Sequence, residues 1–226
     1  MSVAVVIVAA GRGRRLGGGT PKQYLPLSGE CSLQRAVDAF LAVESVARVV
    51  PVIHPDDASL AKTALVTIDD RRLMSPVAGG ETRARSVLKG LEALQDHRPE
   101  IVLIHDAARP FVSAEIIAAV IAALDKADGA CAALPVVDAV WRAADAGPPQ
   151  PVSRDGLWRA QTPQGFAFDR ILDAHRRHDG SAADDVAVAV EAGLHVRFVK
   201  GSEQNYKITT DDDYARALSD IAAAKD

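Results

Sequence analysis

Short runs of apolar, mostly β-branched residues alternate along the chain with longer segments in which apolar residues recur every three or four positions. The short runs predict strands, at 3–8, 48–53, 101–105, 129–135 and 196–199. The longer segments predict helices, at 32–43 with Ser32 as N-cap, 82–94, 114–126 capped by Ser113, 168–178, 184–192 and 211–224. Continuous apolar strands that alternate with amphipathic helices predict an α/β fold with a mainly parallel sheet covered on both faces.

The segment between the predicted strand at 129–135 and residue 158 interrupts this alternation. It contains Pro148, Pro149 and Pro151 and lacks a clear helical period. We interpret residues 137–158 as a protruding β-arm and the Thr-Pro-Gln-Gly sequence at 162–165 as a turn. Its two tryptophans, Trp141 and Trp158, either form an association surface, which favours a homodimer, or pack on their own domain; the sequence leaves both interpretations open.

Length and charge limit the kind of protein and the kind of partner. With 226 residues and 48% hydrophobic residues, the chain is expected to form one domain over 1–226. Lys and Arg number 26 against 30 Asp and Glu, a net charge of −4, which argues against nonspecific binding to nucleic acid or a membrane surface. A small anion in a local pocket is the expected partner.

The cysteines and the first residues predict the compartment. Cys31 and Cys131 have no CxxC spacing, which indicates neither a disulfide framework nor a zinc site. The apolar segment 3–10 follows no positive charge and is too short to span a bilayer, so we interpret it as a strand. A cytoplasmic location is expected.

Three polar clusters, at 9–22, 79–86 and 105–111, each follow a predicted strand. In open parallel sheets the carboxyl ends of the strands form the ligand crevice, so we expect these clusters to meet in space. In the first cluster, glycines and the cations Arg12, Arg14, Arg15 and Lys22 form a loop suited to phosphate. The loop lacks the third glycine of a dinucleotide fingerprint and the Lys-Ser/Thr of a P-loop; the competing interpretation is a flexible basic surface loop.

The third cluster supplies a carboxylate at a strand end, the usual place for a divalent cation that carries phosphates. Asp106 is therefore the metal candidate. We interpret the neighbouring His105 as a packing residue, and Arg109 as a phosphate clamp or the partner of a nearby acid.

Taken together, six blocks of sequence resemble the 2-C-methyl-D-erythritol 4-phosphate cytidylyltransferases of the non-mevalonate isoprenoid pathway. They are AAGxGxR at 9–15, PKQY at 21–24, GxxRxxSV at 80–87, HDAARP at 105–110, LWxAQTPQ at 157–164 and NxKIT at 205–209. The resemblance implies a Rossmann-like nucleotidyltransferase fold and a homodimer joined through the arm. It also implies a divalent ion, with Mg²⁺ expected, and the reaction of CTP with methylerythritol phosphate to give the CDP-alcohol and pyrophosphate.

The same resemblance implies roles for individual residues. Catalytic roles fall to Arg15, Lys22 and Lys207. Nucleotide contacts fall to Ala9, Ala10, Gly11, Gly13, Gly80, Glu81, Arg83, Ser86, Asp106 and Ala107, with Asp106 also serving the metal. Contacts with the polyol phosphate fall to Arg109, Arg154 and Thr162, of which Arg154 and Thr162 come from the arm region and are expected to act on the neighbouring subunit's site.

Three positions depart from the family pattern. Glu81 replaces an aspartate, and Ala139 and Ala183 replace threonines, which removes hydrogen bonds to the second substrate worth about 0.5–1.5 kcal/mol each. The alternatives are a cytidylyltransferase for another alcohol phosphate, such as ribitol phosphate, and a catalytically silent nucleotide-binding protein. The sequence is compatible both with a complete chain and with the first half of a fusion.

Overall fold

A seven-stranded sheet runs through the computed structural model, which describes residues 2–12, 19–144 and 147–224. Two further pairs of strands form small separate sheets. In chain order the strands are β1 (Val3–Ala9), β2 (Pro26–Leu27), β3 (Glu30–Cys31), β4 (Val46–Ile53), β5 (Val77–Ala78), β6 (Ile101–Asp106), β7 (Gly129–Pro135), β8 (Val140–Arg142), β9 (Gln150–Val152), β10 (Trp158–Ala167) and β11 (Val196–Lys200). The small sheets pair β2 with β3 and β8 with β9. The helices are α1 (Ser32–Leu41), α2 (Ala58–Leu65), α3 (Arg83–Ala93), α4 (Ala114–Ala123), α5 (Phe168–Arg177), α6 (Asp185–Glu191) and α7 (Asp211–Ala223).

The strand order of the main sheet is β11-β7-β10-β6-β1-β4-β5. Strands β5, β4, β1 and β6 are parallel, and so are β7 and β11, while β10 runs antiparallel to both of its neighbours. The predicted α/β fold with a mainly parallel sheet is therefore confirmed. Parallel strands direct their carboxyl ends to one edge, which is where β1 and β6 deliver the first and third polar clusters.

Helices cover both faces of the sheet because side chains alternate along each buried strand. On one face, Val5 and Ile7 of β1 pack in a core with residues of α1, α2 and α4. On the other face, Ala4 and Val6 pack with residues of α3, α5 and α6. Burial of each fully buried Val, Leu or Ile side chain contributes roughly 1.5–3 kcal/mol to the stability of the fold. The packing on both faces therefore fixes the position of β1.

Two serines were predicted as helix caps, and one of these predictions was wrong. Ser113 caps α4 as predicted, accepting a hydrogen bond from a backbone N–H in the first turn. Ser32 was expected to cap α1, but Cys31 occupies that position and Ser32 is the first helical residue. The Ser32 hydroxyl instead donates to the Ala107 carbonyl at 2.5 Å, which ties α1 to the end of β6.

The sequence patterns also missed three elements of the sheet and its cover, namely β5, α2 and β10. We expected residues 162–165 to form a turn, but they lie within β10, where the pairing with β7 is irregular between Ala160 and Gln164. Turn residues fit there because an irregular register tolerates residues that a regular ladder excludes.

The arm predicted over 137–158 contains an antiparallel hairpin, in which β8 and β9 pair with each other as a separate two-stranded sheet. Trp141 in β8 is 60% exposed. Trp158 begins β10, is 44% exposed, and its ring centroid lies 5.5 Å from that of Phe198 in β11. The two tryptophans thus differ: Trp158 packs partly on its own sheet edge, whereas Trp141 is left largely open.

Among the described residues, no helix combines the length and the apolar content that crossing a membrane requires.

Candidate functional site

A cleft of about 690 Å³ lies at the carboxyl ends of β1 and β6 and brings together residues from all three polar clusters. The residues predicted for the site that line it are Ala9, Ala10, Gly11, Lys22, Gly80, Glu81, Arg83, Ser86, Asp106, Ala107 and Lys207. Further lining comes from Val8, Arg12, Gln23, His54, Thr82, Ala108 and Thr209. The expected meeting of clusters far apart in sequence is therefore present in the structure.

Other predicted site residues lie elsewhere. Gly13 and Arg15 fall outside the described residues. Arg109 and Thr162 lie behind the cleft wall, where Arg109 Nη1 donates to the Asn205 carbonyl at 2.7 Å. Arg154 lies in the arm and donates to the Val137 carbonyl. The substrate roles of these residues stay predictions.

Asp106, the last residue of β6, is the centre of the charge arrangement in the cleft wall. Its Oδ1 accepts a hydrogen bond from Nε of Arg83 at 3.1 Å, and its Oδ2 accepts one from Nζ of Lys207 at 2.7 Å. Asp106 is only 8% exposed. Its two contacts bring α3 and the segment before α7 together at one buried carboxylate. Two cations on one carboxylate leave the wall suited to an anionic ligand.

The pKa values follow from this packing. Burial alone would raise the pKa of Asp106, but the charges of Arg83 and Lys207 outweigh it and hold that pKa far below its usual range. For Arg83, burial opposes the charged form, while Asp185 and Asp106 raise its pKa. Both groups are therefore ionised in the cleft wall at neutral pH.

His105 has the structural role that the sequence indicated. Burial lowers its pKa to about 4, so the ring is neutral at pH 7. Its Nε2 lies 3.0 Å from the Arg109 carbonyl, which can only accept, so Nε2 carries the hydrogen. The Nδ1 atom then accepts from the hydroxyl of Thr162 at 3.0 Å, while the same hydroxyl oxygen accepts from the Asp106 N–H at 3.1 Å. His105 and Thr162 thus fix the backbone at Asp106.

The loop before α3 depends on glycine and on one serine. A Cβ at Gly79 would lie 2.6 Å from the Ala10 Cβ and 2.8 Å from the Ser86 Oγ, so only glycine allows this loop to approach β1. Ser86 donates to the Thr82 carbonyl at 2.9 Å and accepts from the Gly80 N–H at 3.1 Å. The loop is therefore held at the cleft by its own helix.

Lys22 and its neighbour Gln23 join separate walls of the cleft. Nζ of Lys22 donates to the Ile208 carbonyl at 2.7 Å, next to Lys207 in the chain. The buried Gln23 side chain donates to the carbonyls of Ala9 at 2.7 Å and Gly11 at 3.1 Å. Gln23 thereby holds the start of the glycine-rich loop against the end of β1.

The segment that carries Lys207 is fixed from two sides. Nδ2 of the buried Asn205 donates to the Thr162 carbonyl at 2.8 Å. On the other side, α7 begins with a capping box in which Thr210 and Asp213 each bond the other's backbone N–H. Lys207 therefore projects from a short, well-anchored segment.

The sequence interpretation missed Gln23, Asn205 and the buried pair Asp185 and His175. Gln23 and Asn205 lie within motifs that it did single out, so their spacing was the available signal. Asp185 and His175 belong to segments interpreted only as helices, and no local pattern reveals that Asp185 approaches Arg83 or that His175 approaches Asp185.

A metal at this site depends on Asp106. Each of its oxygens has one cationic contact, and a carboxylate offers about four lone-pair sites, so acceptor capacity remains for a hard cation. Within residues 2–12, 19–144 and 147–224, no group of three or more His, Cys, Asp or Glu side chains forms a ready-made metal site. Mg²⁺ typically needs only one or two carboxylates together with substrate phosphates, so the donor set fits that mode.

Comparisons with known proteins identify the family. The family model for 2-C-methyl-D-erythritol 4-phosphate cytidylyltransferase, IspD, matches residues 3–221. The chain is 49% identical over 224 residues to the 2-C-methyl-D-erythritol 4-phosphate cytidylyltransferase of Cereibacter sphaeroides, covering 99% of each chain. It is 50% identical over 217 residues to a bifunctional enzyme IspD/IspF of Rhodobacter capsulatus, covering 96% of this chain and 55% of that one.

Solved structures show the same fold. The 4-diphosphocytidyl-2C-methyl-D-erythritol synthase of Anaerococcus prevotii superposes with a TM-score of 0.84 at 28% identity, covering 98% of this chain and 96% of that one. The 2-C-methyl-D-erythritol 4-phosphate cytidylyltransferase of Thermus thermophilus gives a TM-score of 0.76 at 30% identity, covering 98% and 100%. Sequence and fold thus agree over nearly the whole chain, which belongs to the 2-C-methyl-D-erythritol 4-phosphate cytidylyltransferase family.

Proposed function

We propose that this chain transfers the cytidylyl group of CTP to 2-C-methyl-D-erythritol 4-phosphate, giving 4-diphosphocytidyl-2-C-methyl-D-erythritol and pyrophosphate. The observation that carries the proposal is the family match over residues 3–221, together with a cleft that collects Lys22, Arg83 and Lys207 beside Asp106. The family names methylerythritol phosphate as the second substrate, which makes ribitol phosphate the less favoured alternative.

The reaction needs no general base from the protein. A phosphate monoester has a second pKa of about 6 and is largely dianionic at neutral pH, so its oxygen is already a nucleophile. That oxygen forms a new bond to the α-phosphorus of CTP, and the bond from the α-phosphorus to the bridging oxygen breaks as pyrophosphate leaves. The protein must bring two anions together and stabilise the charge that spreads over the α-phosphate oxygens.

Two lysines of the cleft are suited to that task. Lys22 and Lys207 approach the cleft from separate walls, and their anchoring contacts to the Ile208 carbonyl and to Asp106 fix where their charges lie. Fixed charges stabilise a transition state more effectively than mobile ones because they do not have to reorganise. Arg15, for which the resemblance implies the same role, lies outside the described residues.

The wall formed by the loop before α3 and the start of α3 is suited to the nucleoside. Gly80, Glu81, Arg83 and Ser86 line it, and the close approach at Gly79 places the loop against Ala10 at the end of β1. We assign the cytosine and the ribose to this wall, with Asp106 and Ala107 beside the ribose. In this arrangement Ala9, Ala10 and Gly11 lie beneath the triphosphate, in line with the expectation that the glycine-rich loop binds phosphate.

We further propose Mg²⁺ as the divalent ion, held by a carboxylate oxygen of Asp106 together with phosphate oxygens of CTP. When bound, the ion neutralises triphosphate charge and so favours the approach of the second phosphate. The contacts of Arg83 and Lys207 keep the Asp106 carboxylate ionised and oriented for this task.

The arm supports a proposal about the second substrate and the assembly. Arg154 lies in the arm, outside the cleft of its own chain, and Trp141 leaves a large apolar side chain exposed in the same hairpin. We propose a homodimer in which the arm of one subunit reaches the other, so that Arg154 meets the polyol phosphate there. Thr162, which the resemblance assigned to the neighbouring subunit's site, lies in β10 and bonds the Asp106 backbone of its own chain. We therefore propose that Thr162 and Arg109 contribute to the site of their own subunit. The cytoplasmic location remains a prediction from the sequence.

The function is tested by measuring pyrophosphate release with CTP, Mg²⁺ and either methylerythritol phosphate or ribitol phosphate. We expect turnover with methylerythritol phosphate and a kcat/KM for ribitol phosphate lower by about 100-fold or more, as expected when polar groups of a site lose their partners. Equal or faster turnover with ribitol phosphate would contradict the assignment of the substrate.

The assembly is tested by sedimentation of the wild type and of Trp141→Ser. We expect a dimer that Trp141→Ser shifts toward monomer, because a buried aromatic side chain contributes strongly to an interface. Val66→Ser, which removes a residue 71% exposed near the end of α2, is the matched control and leaves the assembly unchanged. A monomeric wild type would contradict the proposal.

A further inference from the structure

A second carboxylate lies behind the cleft wall, out of reach of any ligand in the cleft. Asp185, the first residue of α6, has 0% exposure, and His175 near the end of α5 is 2% exposed. Neither residue lines the cleft. Full burial of a carboxylate is costly, so its presence requires a physical reason.

The two residues continue the charge arrangement of the cleft wall into the core. Nη1 of Arg83 lies 2.8 Å from Oδ2 of Asp185, while Nε of the same guanidinium contacts Asp106. Nε2 of His175 lies 3.2 Å from Oδ1 of Asp185. The guanidinium of Arg83 is thus held between one carboxylate in the cleft wall and one in the core.

Asp185 carries a negative charge in this arrangement. Burial would raise the pKa of Asp185, but Arg83 and His175 outweigh it and lower that pKa, so Asp185 is ionised. The contacts of Asp185 are close, yet its two oxygens do not meet the angles of well-directed hydrogen bonds. Charge attraction therefore holds Arg83 on this side.

Gln164 of β10 sets the position of Asp185. Its side-chain oxygen accepts hydrogen bonds from the backbone N–H groups of Asp185 and Val186, both at 3.0 Å. Its amide donates to Oδ2 of Asp184 at 3.2 Å. The start of α6 is thereby fixed to the central sheet, and Asp185 becomes a rigid anchor.

Stability alone does not explain such an anchor. Well-packed apolar residues often replace a buried ion pair without loss of stability, because the desolvation of the charges offsets their attraction. An arginine in a ligand site, by contrast, gains from being held in one conformation before the ligand arrives. Orientation of Arg83 is thus what the buried pair supplies.

We propose that Asp185, supported by His175, is a positioning residue that fixes Arg83, and through Arg83 the Asp106 carboxylate, for binding of the nucleotide. The inference rests on the proposed function in that CTP is the ligand of the cleft. It assigns Asp185 and His175 no contact with substrate. Loss of the anchor lets the Arg83 guanidinium move away from the nucleoside wall.

The test is a double-mutant cycle of Asp185→Asn and Arg83→Gln, with CTP binding measured by calorimetry in the presence of Mg²⁺. Asp185→Asn keeps the size of the side chain and removes its charge. We expect the Kd for CTP to rise about 10-fold, equivalent to about 1.4 kcal/mol, with kcat at saturating substrate changed much less. In the Arg83→Gln background the same substitution is expected to change the Kd less than about 2-fold, since the group it acts through is gone.

A purely structural role gives a different result. If the role is only structural, Asp185→Asn lowers the melting temperature but leaves the Kd of the folded enzyme for CTP unchanged, or the effects of the two substitutions on this Kd multiply in the double variant. Either result overturns the proposal. Asp173→Asn on α5, whose partner is Arg177 at the surface, is the matched control and leaves the Kd unchanged. If Asp185→Asn does not fold, His175→Gln takes its place in the same cycle, with a smaller rise in Kd expected and an unchanged Kd overturning the proposal.

Failure of the proposed function is distinguishable from failure of this inference. Wild type that does not bind CTP contradicts the function. Wild type that binds CTP and releases pyrophosphate with methylerythritol phosphate, while Asp185→Asn and His175→Gln retain its Kd, contradicts only the positioning role.

Discussion

The cleft wall and the arm are held in opposite ways. In the wall, Asp106 is buried, contacts two cations, and its backbone N–H is bonded by a side chain of the neighbouring strand. In the arm, β8 and β9 pair with each other in a separate sheet, and Trp141 is largely exposed. One region has its geometry fixed within the chain, whereas the other has apolar surface that its own chain does not cover.

This difference separates two tasks. A site that stabilises charge in a transition state must be oriented beforehand, and the wall has the required cross-links. A hairpin with an exposed tryptophan gains its order from what it contacts, so its position is expected to depend on assembly. We therefore expect changes in the arm to leave nucleotide binding intact and to weaken binding of the second substrate.

The sharpest test of the wall removes one of its cations. Lys22→Ala is expected to lower kcat by about 10²–10³-fold, the typical cost of losing one group that stabilises the transition state, and to weaken CTP binding far less. Steady-state kinetics with calorimetry of CTP separates the two effects. Lys62→Ala on α2 is the control, and an unchanged kcat for Lys22→Ala would remove this lysine from the catalytic assignment.

The arm is tested by removing the charge of Arg154. Arg154→Gln is expected to raise the KM for methylerythritol phosphate about 10-fold or more, the loss of a charge-assisted hydrogen bond, without changing the Kd for CTP. Arg177→Gln, an exposed position on α5, is the control. A shift in CTP binding would break the contrast between the regions.

Mixed dimers decide whether the arm acts on its neighbour. A dimer of one Lys22→Ala and one Arg154→Gln subunit contains one intact site if the arm acts in trans and none if it acts in cis. Co-expression of the two variants with different tags, followed by purification of the mixed species, is expected to give more activity than either parent. Activity equal to the mean of the parents contradicts action in trans.

A change of one methyl group tests how tightly the wall is packed. Gly79→Ala places its Cβ within 3 Å of Ala10 and Ser86 and is expected to cost about 1–3 kcal/mol of unfolding free energy. Gly19→Ala, whose Cβ would meet no atom of the described residues within 4 Å, is the matched control for urea unfolding, expected within about 0.5 kcal/mol of the wild type. Equal stability of the two variants would show that the loop before α3 yields easily.

The smallest effect is expected at the cap of α7. Burial would raise the pKa of Asp213, but hydrogen bonds from Thr209 and Thr210 outweigh it and lower that pKa. A lowered folded-state pKa stabilises the fold above the unfolded value of about 3.9, and this stabilisation is lost as pH falls. Asp213→Asn is expected to cost about 1 kcal/mol at pH 7 and less at pH 3.5, measured by chemical unfolding. A loss that does not shrink at low pH would contradict this account.

Local sequence patterns predicted the parts of the fold that depend on local physics. The continuous apolar run of β1 and the cap at Ser113 are decided by neighbouring residues, and each is present as predicted. Ser32 failed as a predicted cap because α1 begins one residue earlier than expected, with Cys31 at the N-cap position. Residues 162–165 failed as a predicted turn because Gln164 and Gly165 pair with two distant strands, and this pairing overrides local turn preference.

The candidate site shows the same division. The rule that ligands bind at the carboxyl ends of parallel strands was sufficient to bring Lys22, Arg83 and Asp106 together. It did not reveal the buried contacts of Asp185 and His175, because an ion pair between α3, α5 and α6 depends on tertiary packing.

Strand β10 has a mechanical consequence. It begins at the base of the hairpin with Trp158 and, four residues further, supplies the hydroxyl that bonds the main chain of Asp106. In the proposed dimer, the hairpin that contacts the mate is therefore joined, without a break in the chain, to the ten-residue strand that holds the Asp106 backbone of its own subunit.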